Sequence, residues 1–270
     1  MTSARLTYYR DLVLVLLSKD FKVRYKNTVL GYAWSVLNPL LFAAVFYLVF
    51  GVILGVDFRS QLSGVRVSRP GVLYPLFLVV GLFPWQWFSN SVNAANYFFL
   101  GNASLIKKVR FPRQFLVLSG VLGDGVHFAL SIPVILAFML WAGAAPSAHW
   151  LWQVPVLIAV QFAMTLGFAL LTATANLFFR DIERLTALAL MLWFYLTPVI
   201  FPTKFLADRG LGWLLLANPL APLIVCWQRV FLEGTLPLDL AAAALGYAAA
   251  AYVAGYALYR RLEWRFAEIV

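Results

Sequence analysis

Residues 33–54 carry no charged side chain. As a helix rising 1.5 Å per residue, roughly 20 such residues cross ~30 Å of hydrocarbon. This stretch confines the chain to a membrane, because a helix apolar on every side has no place at an aqueous surface. Composition agrees: 63% of the residues are apolar and 12% charged, against about 25% charged in soluble domains. The 270 residues leave room for roughly six spans with short loops and no large soluble appendage. The formal charge of +10 does not point to nucleic acid, since the cations lie at segment ends, where membrane topology puts them. The lone Cys226 excludes an intrachain disulfide and a multi-cysteine metal centre. No cleavable leader is expected, because the apolar run at 7–17 is short and charge follows it.

Ahead of the first span the pattern changes. Lys19, Lys22 and Lys26 fall on one helical side, and Val13, Leu17, Phe21 and Tyr25 on another, with Arg24 near the apolar face. The spacing predicts a basic amphipathic helix lying along a membrane surface, followed by a bend at Gly31.

Further apolar runs predict spans at 72–99, 115–141, 151–178, 185–200 and 238–258. The first of these holds Pro75 and Pro84 and is expected to kink or break, and Asn90, Asn93, Asn96 and Asn102 make its end polar. Residues 201–236 are apolar but broken by Pro202, Gly210, Gly212, Pro219, Pro222 and Gly234. That punctuation fits short helices that dip into the outer leaflet and return. The expected fold is an all-α polytopic membrane protein: six transmembrane helices, an N-terminal amphipathic interface helix and a re-entrant helical segment before the last span. With a cytoplasmic N-terminus, fifteen of the 21 lysines and arginines fall on the cytoplasmic side. Both termini are therefore expected in the cytoplasm, and residues 1–270 form one transmembrane domain.

The sequence lacks GxxxxGK[ST] for nucleotide, HExxH for metal and clustered acids for sugar transfer. Enzymatic chemistry by this chain is not expected. A membrane transferase would need such acids. A secondary transporter would need mid-membrane ion ligands on paired broken helices. Asp124 and His127, three apart inside one span, are the ionisable pair available, and their ordinary role is to satisfy each other or a neighbouring helix. Two short loops stand out. One carries Lys107, Lys108, Arg110, Phe111, Pro112 and Arg113; the other carries Arg180, Asp181, Ile182 and Glu183. The two acids of the second cancel the charge that topology alone would favour, so both loops are read as docking elements for a soluble partner.

Several separated motifs carry a family resemblance. They are Asp20-Phe21-Lys22-Val23-Arg24-Tyr25, Leu30-Gly31 with Trp34 and Asn38-Pro39, and Gly81-Leu82-Phe83-Pro84-Trp85. Further along stand Asn176-Leu177-Phe178-Phe179-Arg180-Asp181-Ile182, Thr197-Pro198 and Asn218-Pro219. In this order, over nearly the whole chain, they resemble the membrane subunit of polysaccharide-exporting ATP-binding-cassette transporters. The likeness is strongest to the O-antigen and teichoic-acid branch and weaker to the capsule branch.

The resemblance implies a homodimer that binds two copies of a separate ATPase subunit and moves a lipid-linked polysaccharide outward through the cytoplasmic membrane. It implies no cofactor in this chain, with ATP and Mg on the partner. By the same likeness the two loops match ATPase-coupling elements, and residues 201–236 match re-entrant helices at the exit. The residue chemistry suits such a cargo. Sugar CH faces stack on aromatic rings, and Trp34, Tyr47, Phe83, Trp85, Trp87, Phe88, Trp193 and Tyr195 are the channel candidates. Lys22, Arg24 and Lys26 are placed for the anionic head group of a lipid carrier.

Overall fold

The computed structural model describes residues 3–24, 31–56, 68–109 and 111–269, together with 58, 62 and 65. Among them every regular element is helical. Four stretches are long and apolar enough to cross a membrane: Trp34–Ile53, Gln114–Ala142, Trp150–Phe178 and Leu238–Arg265.

Helix α1 (Ser3–Arg24) packs along α5 (Gln114–Ala142). Tyr9 stacks on Phe115 at 4.9 Å, and Phe21 meets the His127 ring edge-on at 5.3 Å. Both chains advance by the same number of residues between these contacts, so the helices run side by side in the same direction. The helix expected along a membrane surface is thus covered by α5 on one side. The physical reason lies in the side chains. Leu16 is buried in the contact with its neighbours Leu12 and Leu17, while Leu14, Val15 and Val23 remain exposed among Lys19 and Lys22. The helix is apolar on two sides, not one.

After Gly31, which adopts the left-handed φ of 47°, α2 (Trp34–Phe46) continues into a seven-residue π-helical stretch, Tyr47–Ile53. Helix α3 (Leu73–Phe98) follows as one unbroken helix through Pro84. The short α4 (Ala103–Lys108) leads into α5, and α6 (Trp150–Phe178) returns. Helix α7 (Ile182–Leu196) has 15 residues, about 22 Å, too short to cross alone. It stops at the Thr197-Pro198 pair, within the expected span of 185–200, because Pro198 holds Thr197 in an extended conformation, φ −98° and ψ 139°.

Residues 201–236 hold α8 (Lys204–Ala207), α9 (Leu214–Ala217) and α10 (Ala221–Glu233). Helix α10 is almost wholly buried against α3, α6 and α11 (Leu238–Leu262), with Cys226 and Trp227 fully enclosed. Gly234, at φ 71°, turns the chain from α10 into α11. A short α12 (Phe266–Ile269) is the last described element.

Lipid tails offer no hydrophobic drive between helices, so close backbone approach has to hold a bundle together. It is closest between α6 and α11. A Cβ on Gly255 would lie 2.2 Å from the Gly167 carbonyl oxygen, and one on Gly167 2.4 Å from the α11 backbone. Elsewhere the Thr197-Pro198 and Asn218-Pro219 motifs lock together. The Asn218 amide donates to Thr197 Oγ1 at 2.9 Å and to the Leu196 carbonyl at 3.2 Å. Its Oδ1 accepts from Trp193 Nε1 at 2.7 Å and from the Leu220 backbone N–H at 3.0 Å. Gln228 of α10 donates to the Pro198 carbonyl at 2.8 Å, which leaves the proline-broken segment tied to the buried helix.

Candidate functional site

Helix α3 positions the candidate site. Most of its surface is apolar and buried, yet Gln86, Asn90, Asn93 and Tyr97 follow one another at spacings of four, three and four residues. At 3.6 residues per turn they form one stripe. Gln86 is half-buried and the other three are exposed. Two hollows flank the stripe. A cavity of about 450 Å³ is bounded by Trp34, Ser35 and Asn38 of α2, the stripe itself, and Asp124 and His127 of α5. A groove of about 400 Å³ lies between Phe42 and Phe46 of α2, the same Gln86, Asn90 and Asn93, and Leu190, Phe194 and Tyr195 of α7.

Asp124 and His127 are buried at the back of the cavity, where Ser91 donates to Asp124 Oδ2 at 2.8 Å and Phe21 packs on the His127 ring. Neighbouring helices therefore contribute partners to both. The aromatic candidates divide. Trp34 and Tyr195 are exposed, at the rims of the two hollows. Phe83, Trp85 and Trp87 touch the hollows but are buried between helices, with Trp87 Nε1 bonded to the Val121 carbonyl at 3.1 Å. Phe88 is 1% exposed, edge-on to Phe168 and Trp193, and Trp193 is tied to Asn218. Tyr47 opens the π-helical stretch, half-buried. Reading residues singly favours the rings and misses the amide stripe. Its signal was available in the spacing of Gln86, Asn90, Asn93 and Tyr97.

The two loops sit at one end of the bundle. Lys107 and Lys108 end α4, exposed; Phe111, Pro112 and Arg113 follow, half-buried. Arg180 and Asp181 are exposed at the turn between α6 and α7. The Asn176 side chain of α6 accepts from the Glu183 backbone N–H at 3.0 Å and donates to the Asn96 carbonyl of α3 at 2.9 Å. Tyr97 donates to the Glu183 carboxylate. The turn is thus joined directly to the lower end of the amide stripe, a connection between residues 86 apart. Lys22 is exposed on α1. Lys26, Arg110 and the Arg24 side chain lie outside the described residues. Among the described residues no group of histidine, cysteine or acidic side chains is arranged to hold a metal ion.

Residues 11–232 match the ABC-2 type transporter family. The chain is 40% identical over 272 residues to an O-antigen export system permease protein RfbA of Klebsiella pneumoniae, covering 98% of this chain and 97% of the relative. A protein of the same name from Myxococcus xanthus is 35% identical over 230 residues, 85% of this chain and 83% of the relative. The polysialic acid transport protein KpsM of Escherichia coli is more distant, 21% identical over 255 residues, with 93% of each chain covered.

Proposed function

The chain belongs to the ABC-2 type transporter family, and from that premise we propose that it is the membrane subunit of an ATP-driven exporter of a lipid-linked, O-antigen-like polysaccharide. The observation that carries the reading is the exposed stripe of Gln86, Asn90, Asn93 and Tyr97 on an otherwise apolar helix. Neutral amides donate to and accept from sugar hydroxyls in any order along a polymer. Without a cation in the stripe, no strong charge pair halts a moving chain. Trp34 and Tyr195 offer ring faces beside it for sugar CH surfaces. The names of the RfbA relatives favour O-antigen over capsule.

In this reading two copies of the chain face each other across the polar hollows in the cytoplasmic membrane, with both termini in the cytoplasm. Six crossings are made by α2 with its π-helical extension, α3, α5, α6, α7 lengthened by the segment 197–200 that follows it, and α11, and α8–α10 re-enter from the outer side. A separate ATPase subunit, holding ATP and Mg, docks on Lys107–Arg113 and on Arg180–Glu183, and the Tyr97–Glu183 bond carries its movement to the stripe. Lys22, with Arg24 and Lys26, meets the anionic head group of the carrier lipid.

The test is deletion of the chain in its host and purification with and without a co-expressed ATPase subunit. Surface polysaccharide should be lost on deletion and restored by the chain. ATP hydrolysis should require the complex. Unchanged surface polysaccharide after deletion, or vectorial transport by the chain without the ATPase, ends the reading.

A further inference from the structure

The last residues of the chain contact both loops. Phe266 is fully buried, its ring 4.8 Å from Phe99, 5.8 Å from Tyr259 and 6.3 Å from Phe178. Phe178 closes α6 immediately before the Arg180 turn, and Phe99 follows α3. The Arg113 guanidinium stands 5.8 Å from the centre of the Phe266 ring and donates to the Glu263 carbonyl. The next backbone N–H, of Gln114, donates to Tyr259 Oη at 3.1 Å. From the other side, the Arg265 guanidinium lies 5.6 Å over the Phe178 ring. A segment with an exposed Trp264 and flanking cations has no topological need to bury a phenylalanine between three helix ends.

We propose that residues 263–269 are a clamp that fixes the spacing of the two loops on which the ATPase docks, with Phe266 as its plug. The proposal rests on the docking reading given above. A rigid partner that grips two loops at once binds well only if their separation is set in advance, because any ordering left to the moment of binding subtracts from affinity. One loop is fastened to the clamp through Arg113, with Gln114 held beside it by Tyr259 of α11, and the other through Phe178. Phe266 is a positioning residue and touches neither the partner nor the cargo.

Three variants separate the alternatives, each co-expressed with the ATPase subunit and scored for membrane level, thermal unfolding in detergent and recovery of the ATPase on the tagged chain. Phe266→Ala should insert normally and lose at least about tenfold in ATPase recovery. Phe266→Leu, which refills the site, should restore most of it. Arg265→Ala, at an exposed position, should lose about threefold. Wild-type recovery with a folded Phe266→Ala overturns the clamp. Should Phe266→Ala fail to fold, Arg265→Ala decides, and unchanged recovery there overturns it too. Joint charge reversal at Arg180 and Asp181 checks the docking reading itself. If recovery survives that reversal but falls with Phe266→Ala, the docking assignment of the turn fails. If it falls with the reversal alone, the clamp fails.

Discussion

The α6–α11 side of the bundle and the α2–α3–α7 side are built on opposite principles. On the first, glycines bring two backbones together until no side chain fits between them. On the second, α2 and α7 meet through the Phe46 and Phe194 rings, 5.9 Å between centres, and Phe42, Met191 and Tyr195 remain exposed beside the amides of α3. In lipid, tight packing holds helices together, so the first side supplies stability. An exposed polar stripe between apolar helices costs stability unless something polar meets it. The difference teaches where to look for function in such a chain: at the side that the monomer leaves unfinished.

That contrast breaks most visibly at Gly255. A leucine there would have to displace the Gly167 carbonyl, and backbone does not yield as a side chain does. Destabilisation of about 3 kcal/mol or more should appear as a lower unfolding temperature in detergent and a reduced membrane level. Asn218→Ala should cost about 2 kcal/mol, because it removes several hydrogen bonds and strands the Trp193 N–H. The same unfolding measurement checks it, and an Asn218→Asp control tests whether the accepting oxygen alone suffices. The open side should behave in reverse. Joint replacement of Asn90 and Asn93 by leucine should leave stability within about 0.5 kcal/mol. Surface polysaccharide should nonetheless fall about tenfold, the loss of roughly two hydrogen bonds to a moving sugar. A stability loss equal to that of Asn218→Ala would show that the stripe is packing, and the contrast would dissolve.

Much of the closed side was legible. The long helices α5, α6 and α11 begin and end within a few residues of their apolar runs, since an uninterrupted apolar stretch has few alternatives to a helix in lipid. Pro198 announced a break, and α7 stops at the Thr197-Pro198 pair. The direction of α1 was not legible. A helical wheel shows which residues share a side but not what covers that side, and α5 covers it. The pairing of Thr197 with Asn218 and of Tyr97 with Glu183 depends on which helix ends meet, which no local pattern encodes. Asn90 and Asn93 read at first as the polar end of a span, because their register with Gln86 and Tyr97 becomes meaningful only once α3 is known to run unbroken through Pro84.

The enclosure of Cys226 has a practical consequence. It is the one sulfhydryl in the sequence, and the folded chain hides it completely. To a membrane-impermeant maleimide the native protein is therefore blank. A cysteine introduced at Asn90, Tyr195 or Arg180, all exposed, would be labelled without background, and its accessibility could be followed from either face of the membrane during ATP turnover. Labelling of Cys226 itself would then serve as an internal clock, starting only when α10 comes away from α3 and α6.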